Sequence, residues 1–115
     1  MKRVLAMITS LLFSFGAAQA HTHLKMSMPV DQAVLTAAPK EIMLHFSEAT
    51  RLTALSIQKE GDKEETAVSA LSKQSSADIS VPVELAGPGK YQITWRAMGK
   101  DNHVMSGKLN FTVSK

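Results

Sequence analysis

The residues best suited to chemistry in this chain are its histidines, two of which stand almost side by side. The four histidines are His21, His23, His45 and His103. Histidine is the commonest metal ligand in proteins, whereas the sequence contains no cysteine. The lack of cysteine excludes disulfide scaffolds, iron–sulfur clusters, thiolate zinc sites and blue-copper sites. The position of each histidine in the chain therefore indicates which kind of metal site to expect.

The start of the chain has the pattern of a cleaved export signal. A basic beginning is followed by a largely apolar stretch at residues 4–15 and then by Ala-Gln-Ala, the small-residue pattern of a cleavage site. A membrane anchor is the alternative, but a spanning helix needs about 20 apolar residues. We therefore predict a signal peptide at residues 1–20, one domain at residues 21–115, and export to a bacterial periplasm without a membrane anchor.

Cleavage after Ala20 would create a metal-chelating group at His21. The new α-amine and Nδ1 of the same residue's imidazole can close a six-membered ring around a metal. The amine has an ordinary pKa of about 7.7–8.0, so a metal displaces its proton at modest cost near neutral pH. His21-Thr22-His23 also permits square-planar coordination through the amine, two amides and the His23 ring, which favours Cu(II). The alternative is a polar terminus whose two histidines have no role.

A second candidate cluster lies near the end of the chain, at Asp101 and His103. Side chains two residues apart in an extended segment share a face, so we expect these two to converge on one ion. The alternative is an aspartate that caps a turn beside a solvated histidine.

His45 alternates with apolar neighbours, which favours a surface or edge position over a ligand role. Glu48 is expected to accept a hydrogen bond from a ligand imidazole or from the amine and orient it; the alternative is an exposed carboxylate at the end of a strand.

The five methionines that follow the signal are Met26, Met28, Met43, Met98 and Met105. A thioether site for Cu(I) needs several of them clustered on one accessible surface. The alternating pattern instead places Met26 and Met28 in the core, while Met98 and Met105 flank the second cluster.

The sequence contains no nucleophile elbow, phosphate loop or HExxH pattern. It also has no basic patch interleaved with aromatic residues, so no nucleic-acid partner is expected.

The elements that must position these residues are β-strands, because apolar residues recur with a period of two. The predicted strands cover residues 24–28, 42–46, 55–57, 67–71, 79–83, 91–97 and 109–113. Turn signals at residues 60–63 and 86–89 separate them, and the polar residues 59–77 are expected to form an exposed loop region. The pattern predicts an all-β domain of about seven strands, either an antiparallel sandwich or a small Greek-key barrel. A chain of 115 residues has room for one such domain.

Two motifs and the start of the predicted domain together resemble a known family. They are LHFSE at residues 44–48, WRAMGKDNHVMSG at residues 95–107, and the histidine that follows the cleavage site. They are similar to those of the CopC-type periplasmic copper-binding proteins, and the resemblance covers essentially all of residues 21–115. It implies a cupredoxin-like, immunoglobulin-like β-fold. It also implies a Cu(II) site made by His21, Asp101 and His103, with His23 matching a further histidine of single-site members.

The resemblance departs from one branch of that family. Two-site members carry a segment rich in methionine and histidine that binds Cu(I), whereas residues 51–73 contain neither residue type here. The chain is therefore expected to be of the type that binds one Cu(2+) per chain.

The expected function is that of a monomeric periplasmic Cu(II)-binding protein for copper homeostasis and resistance, and not an enzyme. It would sequester copper or deliver it to an inner-membrane transporter or another partner. One alternative is a copper-dependent oxidative enzyme with a terminal-histidine centre, similar to polysaccharide-cleaving monooxygenases. Against it, the sequence offers no aromatic platform for a polymer. The other alternative is a metal-free β-sandwich that acts as an interaction module.

Overall fold

The computed structural model describes residues 23–69 and 71–114, and all of its regular elements are β-strands. The predicted signal peptide and His21 lie outside the described residues. The strands are β1 (Leu24–Met28), β2 (Ala33–Leu35), β3 (Glu41–Lys59), β4 (Thr66–Ala67), β5 (Ser76–Pro82), β6 (Gly89–Gly99) and β7 (Val104–Val113). The described residues contain no helix that is long and apolar enough to cross a membrane.

The 19-residue strand β3 organises the fold, because its two halves pair with different neighbours. Its first half lies between β1 and β5, and its second half lies between β6 and β4. Thr50 marks the change, since it pairs with Ser76 of β5 and with Gly99 of β6. From β6 the sheet continues through β7 to β2, which pairs in parallel with β7. Both halves of the molecule are therefore connected through one strand.

The core lies between the inward faces of these strands. Its fully buried side chains come mainly from alternate positions of three strands: Ile42, Leu44, Phe46, Leu52 and Leu55 of β3, Tyr91, Ile93, Trp95 and Ala97 of β6, and Leu109, Phe111 and Val113 of β7. The rings of Phe46 and Trp95 pack edge to face, with centroids 5.4 Å apart. Burial of this apolar area is the main favourable term for a domain without disulfides.

The prediction of an all-β domain with about seven strands is confirmed, although the strands are not the same seven. The segments predicted at residues 42–46 and 55–57 belong to one continuous strand, β3. The short strand predicted at residues 67–71 is reduced to Thr66–Ala67. The parallel strand β2 was not predicted, because three residues are too few to show a period.

The expectation that Met26 and Met28 lie in the core is wrong. Both side chains are more than half exposed, at 57% and 54%, whereas Ser27 between them is buried. The pairing of β1 with β3 shifts register between Leu24 and Met26, as at a β-bulge. A one-residue irregularity of this kind moves every later side chain to the opposite face. Leu24 therefore packs against the core, while the two methionines point outward.

Candidate metal centre

Asp101 and His103 lie in the turn between β6 and β7. The N–H of Asn102 donates to the carbonyl of Gly99, and the N–H of Gly99 donates to the carbonyl of His103, both at 3.0 Å. Asn102 has a φ of 64°, a left-handed conformation that asparagine tolerates better than most residues. The pair is thus brought together by a tight turn, and not by the extended segment that the sequence suggested.

The Asp101 carboxylate binds both the ring and the backbone of His103. Its Oδ2 lies 2.5 Å from Nδ1 of the ring, and its Oδ1 accepts the His103 N–H at 3.2 Å. These hydrogen bonds, the ring contact first, hold the pKa of the Asp101 carboxyl below its ordinary value. Because an ionised carboxylate only accepts hydrogen bonds, the proton belongs on Nδ1 and the lone pair of a neutral ring on Nε2. A carboxylate–histidine pair of this kind is typical of metal sites.

His23 is held at the start of β1 by backbone contacts with β3. Its N–H donates to the hydroxyl of Ser47 at 3.0 Å, and its carbonyl accepts the Ser47 N–H at 2.8 Å. The side chain of His23 is exposed. Ser47 was not singled out in the sequence as a site residue, since only the pairing of β1 with β3 reveals its role.

The pairing pattern places His23 and the β6–β7 turn along the same edge of β3. β1 and β5 pair with the same residues of β3, so these two strands lie on opposite edges of β3. Thr50 pairs with both β5 and β6, so β5 and β6 also lie on opposite edges. β1 and β6 therefore share an edge, and the start of β1 meets the end of β6. Ser47 and Thr50 are three residues apart, a span of about 10 Å along a strand. His21 precedes His23 by two residues, and two residues of fully extended chain span at most about 7 Å.

Glu48 lies in this interval of β3 and is half-buried, and its carbonyl accepts a hydrogen bond from the buried hydroxyl of Thr50 at 2.8 Å. The orienting role expected for its carboxylate stays a prediction. Across residues 23–69 and 71–114, however, no three His, Cys, Asp or Glu side chains are grouped closely enough to hold a metal. The structure thus brings Asp101 and His103 together and places His23 on the same edge, without joining the three in one cluster.

His45 lies on the outward face of β3, as expected, with its side chain 40% exposed. Its Nδ1 is in hydrogen-bonding contact with the carboxylate of Asp78 on β5. Asp78 was not predicted to have a role, because its sequence neighbours carry no signal for a pairing 33 residues away.

Comparison with known proteins places this architecture in a family. The chain is 34% identical over 108 residues to copper resistance protein C of Escherichia coli, and the alignment covers 84% of each protein. It is 30% identical over 117 residues to protein YobA of E. coli K12, covering 98% of this chain and 94% of that protein. The fold is similar to the crystal structure of CopC from Methylosinus trichosporium OB3b. That match has a TM-score of 0.64 and 24% identity, over 82% of this chain and 94% of the other.

The family profile of the CopC domain matches residues 24–114, from the first residue of β1 to the last described residue. The match includes the β6–β7 turn with its carboxylate–histidine pair and the whole of β3. The chain therefore belongs to the CopC family.

Proposed function

We propose that this protein binds one Cu(II) ion in the periplasm and either sequesters it or delivers it to an inner-membrane transporter or another partner. The observation that carries the proposal is the meeting of β1 and β6 along one edge of β3. Because β1 begins beside the end of β6, ligands from the residues just before β1 would be within reach of the carboxylate–histidine pair of the β6–β7 turn.

The proposed ligands suit Cu(II) and its chemistry. In this proposal His21 supplies an amine and a ring nitrogen, His103 a ring nitrogen and Asp101 a carboxylate, and His23 adds a further imidazole. Nitrogen and carboxylate donors favour Cu(II) over Cu(I), and in the usual order of divalent affinities Cu(II) exceeds Zn(II) and Ni(II). The lowered pKa of Asp101 means that its carboxylate, which is charged near neutral pH, also stays charged at more acidic pH than an ordinary aspartate. Copper binding should release protons and weaken as the pH falls.

Membership of the CopC family also bears on the enzyme alternative. Proteins of this family are copper-binding resistance proteins and not enzymes, so we expect copper handling without turnover. The copper-loaded protein, given ascorbate or peroxide, should oxidise a polysaccharide no faster than free copper does.

The decisive experiment compares the chain that starts at His21 with one that carries an additional alanine before it. If the terminal amine is a ligand, the extension weakens Cu(II) affinity by orders of magnitude in a competition titration. Equal affinities would remove the amine from the site. Mass spectrometry of the exported protein, recovered from a periplasmic fraction, tests whether cleavage occurs after Ala20.

The His103→Ala variant tests the other half of the site. Loss of this imidazole should change the electron paramagnetic resonance spectrum of the bound Cu(II), because the ion would lose one of the proposed nitrogen donors. The matched control is His45→Asn, which removes an exposed imidazole of β3 outside the proposed Cu(II) ligands and should leave the Cu(II) spectrum unchanged. An identical spectrum for the His103→Ala protein would mean that the terminal peptide binds copper alone.

A further inference from the structure

The outward face of the half-sheet made by β1, β3 and β5 carries an unusual group of exposed methionines. The side chains of Met26, Met28 and Met43 are 57%, 54% and 41% exposed. Outward positions of a sheet that buries only one face are ordinarily polar. Three thioethers at such positions expose apolar surface to water, and exposed apolar patches often mark binding sites.

The strand register places these side chains around one patch. Met28 pairs directly with Met43, and Met26 pairs directly with His45. Directly opposed residues on antiparallel strands have Cβ atoms about 4.5–5.5 Å apart, and the next residue on the same face of a strand follows at about 7 Å. The four side chains therefore occupy the corners of one small rectangle. They line a shared cleft with a volume of about 230 Å³.

The histidine of this patch is oriented by a carboxylate. His45 pairs across β3 with Asp78 of β5, and its Nδ1 contacts the Asp78 carboxylate. Because the carboxylate accepts, Nδ1 is the protonated nitrogen and Nε2 carries the lone pair of the neutral ring. A histidine whose second nitrogen is held by a carboxylate is the usual form of a metal-ligating imidazole. Asp78 also lines the cleft and supplies a negative charge beside it.

The combination of donors points to a soft monovalent cation. Thioethers are soft ligands that select Cu(I), whereas Mg²⁺, Ca²⁺ and Mn²⁺ prefer oxygen. Methionine is unbranched and has three rotatable side-chain bonds, so three of them can turn their sulfur atoms towards one ion without movement of the strands. We propose that Met26, Met28, Met43 and His45 form a Cu(I) site, with Asp78 as the residue that positions the histidine.

This site shares no ligand with the proposed Cu(II) centre, and it does not need the terminal amine that the Cu(II) centre needs. It uses neither the amine of His21 nor the β6–β7 turn, so it does not depend on cleavage of the signal peptide. It also lies outside residues 51–73, the stretch in which the sequence lacks methionine and histidine. Failure of either proposal would leave the other standing.

The first test uses the protein with methyl-labelled methionine and follows the methyl resonances by NMR. The probes are Cu(I) without oxygen and Ag(I), which is equally soft and does not change oxidation state under these conditions. One equivalent of either ion should shift the resonances of Met26, Met28 and Met43. The resonances of Met98 and Met105 serve as internal controls and should stay in place. Shifts confined to those two controls, or no shift at all, would overturn the proposal.

The second test removes the thioethers but keeps the apolar surface. The triple variant Met26→Leu, Met28→Leu and Met43→Leu replaces each side chain by one of similar volume, which proteins tolerate well. It should lose Cu(I) binding in competition with a chromogenic chelator, yet keep its Cu(II) spectrum. The matched control, Met98→Leu with Met105→Leu, should keep the Cu(I) affinity of the unmodified protein. A triple variant that binds Cu(I) as tightly as this control would show that the three methionines are not ligands of the ion.

The third test concerns the positioning residue. Asp78→Asn removes the charge that orients the His45 ring and should weaken Cu(I) binding about ten- to a hundredfold, as changes to such partners of ligands usually do. His45→Asn should weaken it at least as much. If Asp78→Asn leaves Cu(I) affinity unchanged while His45→Asn lowers it, the assignment of Asp78 is wrong and the ligand set stands. If neither change has an effect, His45 is not a ligand.

Discussion

At the scale of single residues, Gly107 and Trp95 show how little space the core leaves. The two residues pair directly across β6 and β7, and the indole is only 5% exposed. A Cβ atom added at Gly107 would lie 2.7 Å from Cζ2 and 2.9 Å from Nε1 of the indole. Glycine is therefore required here by the close approach of the ring, in the strand that leads away from the β6–β7 turn.

We predict that Gly107→Ala destabilises the fold by about 1–3 kcal/mol, because the indole must leave its position to admit the methyl group. The free energy of unfolding can be followed in urea by the fluorescence of Trp95, the single tryptophan of the chain. Ser106→Ala on the adjacent exposed position is the control and should change the stability by less than about 0.5 kcal/mol. Equal stabilities for the two variants would contradict the predicted clash.

At the scale of elements, β2 depends on the turn before it. Asp31 accepts the N–H of Asn110 on β7 at 2.7 Å, and the N–H of Gln32 donates to the carbonyl of Asn110 at 2.6 Å. These two bonds fix the chain where it begins to pair in parallel with β7. A three-residue strand has few ladder bonds of its own, so the side chain of Asp31 contributes to its position.

We expect Asp31→Ala to lower the free energy of unfolding by about 1 kcal/mol, the usual net value of one hydrogen bond. The amide hydrogen of Asn110 should exchange with solvent faster, because it loses its acceptor. Asp31→Asn keeps an acceptor oxygen at the same place and should retain most of the protection. If Asn110 exchanges at the same rate in the alanine variant, Asp31 does not hold this end of β2.

At the scale of the whole molecule, the proposed Cu(II) site links the start of the domain to its penultimate strand. An ion held both by residues that precede β1 and by the β6–β7 turn would close a loop that includes almost the entire domain. Any ligand that binds only the folded state also stabilises it by mass action.

Free Cu(II) at a hundred times its dissociation constant should therefore raise the free energy of unfolding by about 2.7 kcal/mol. For a domain of this size, each kcal/mol raises the melting temperature by about 4–8 °C. The shift can be measured by thermal denaturation and should vanish when a chelator removes the copper. The chain extended by one residue before His21 should show a smaller shift at the same copper concentration. Identical shifts would mean that copper stabilises the fold from another place.

The class of fold and the chemistry of the candidate ligands could both be predicted from the amino-acid sequence. Strict alternation of apolar residues along β6 and β7 allows only a sheet with one buried face, and histidines and a carboxylate define the donors whatever their arrangement. Alternation failed at Met26 and Met28, because a bulge reverses the two faces of a strand and its position depends on the partner strand. The same limit hid the contact between His45 and Asp78.

Which of these residues lie close together depends on how the strands pair. His23 and His103 are distant in the chain, and their proximity to one edge of β3 follows from the change of neighbours at Thr50. The convergence of Asp101 on His103 depends on a left-handed residue between them, and not on strand geometry. Local periodicity reports which way a side chain points within its own strand. Contacts between strands depend on register, which is set by the packing of the whole domain.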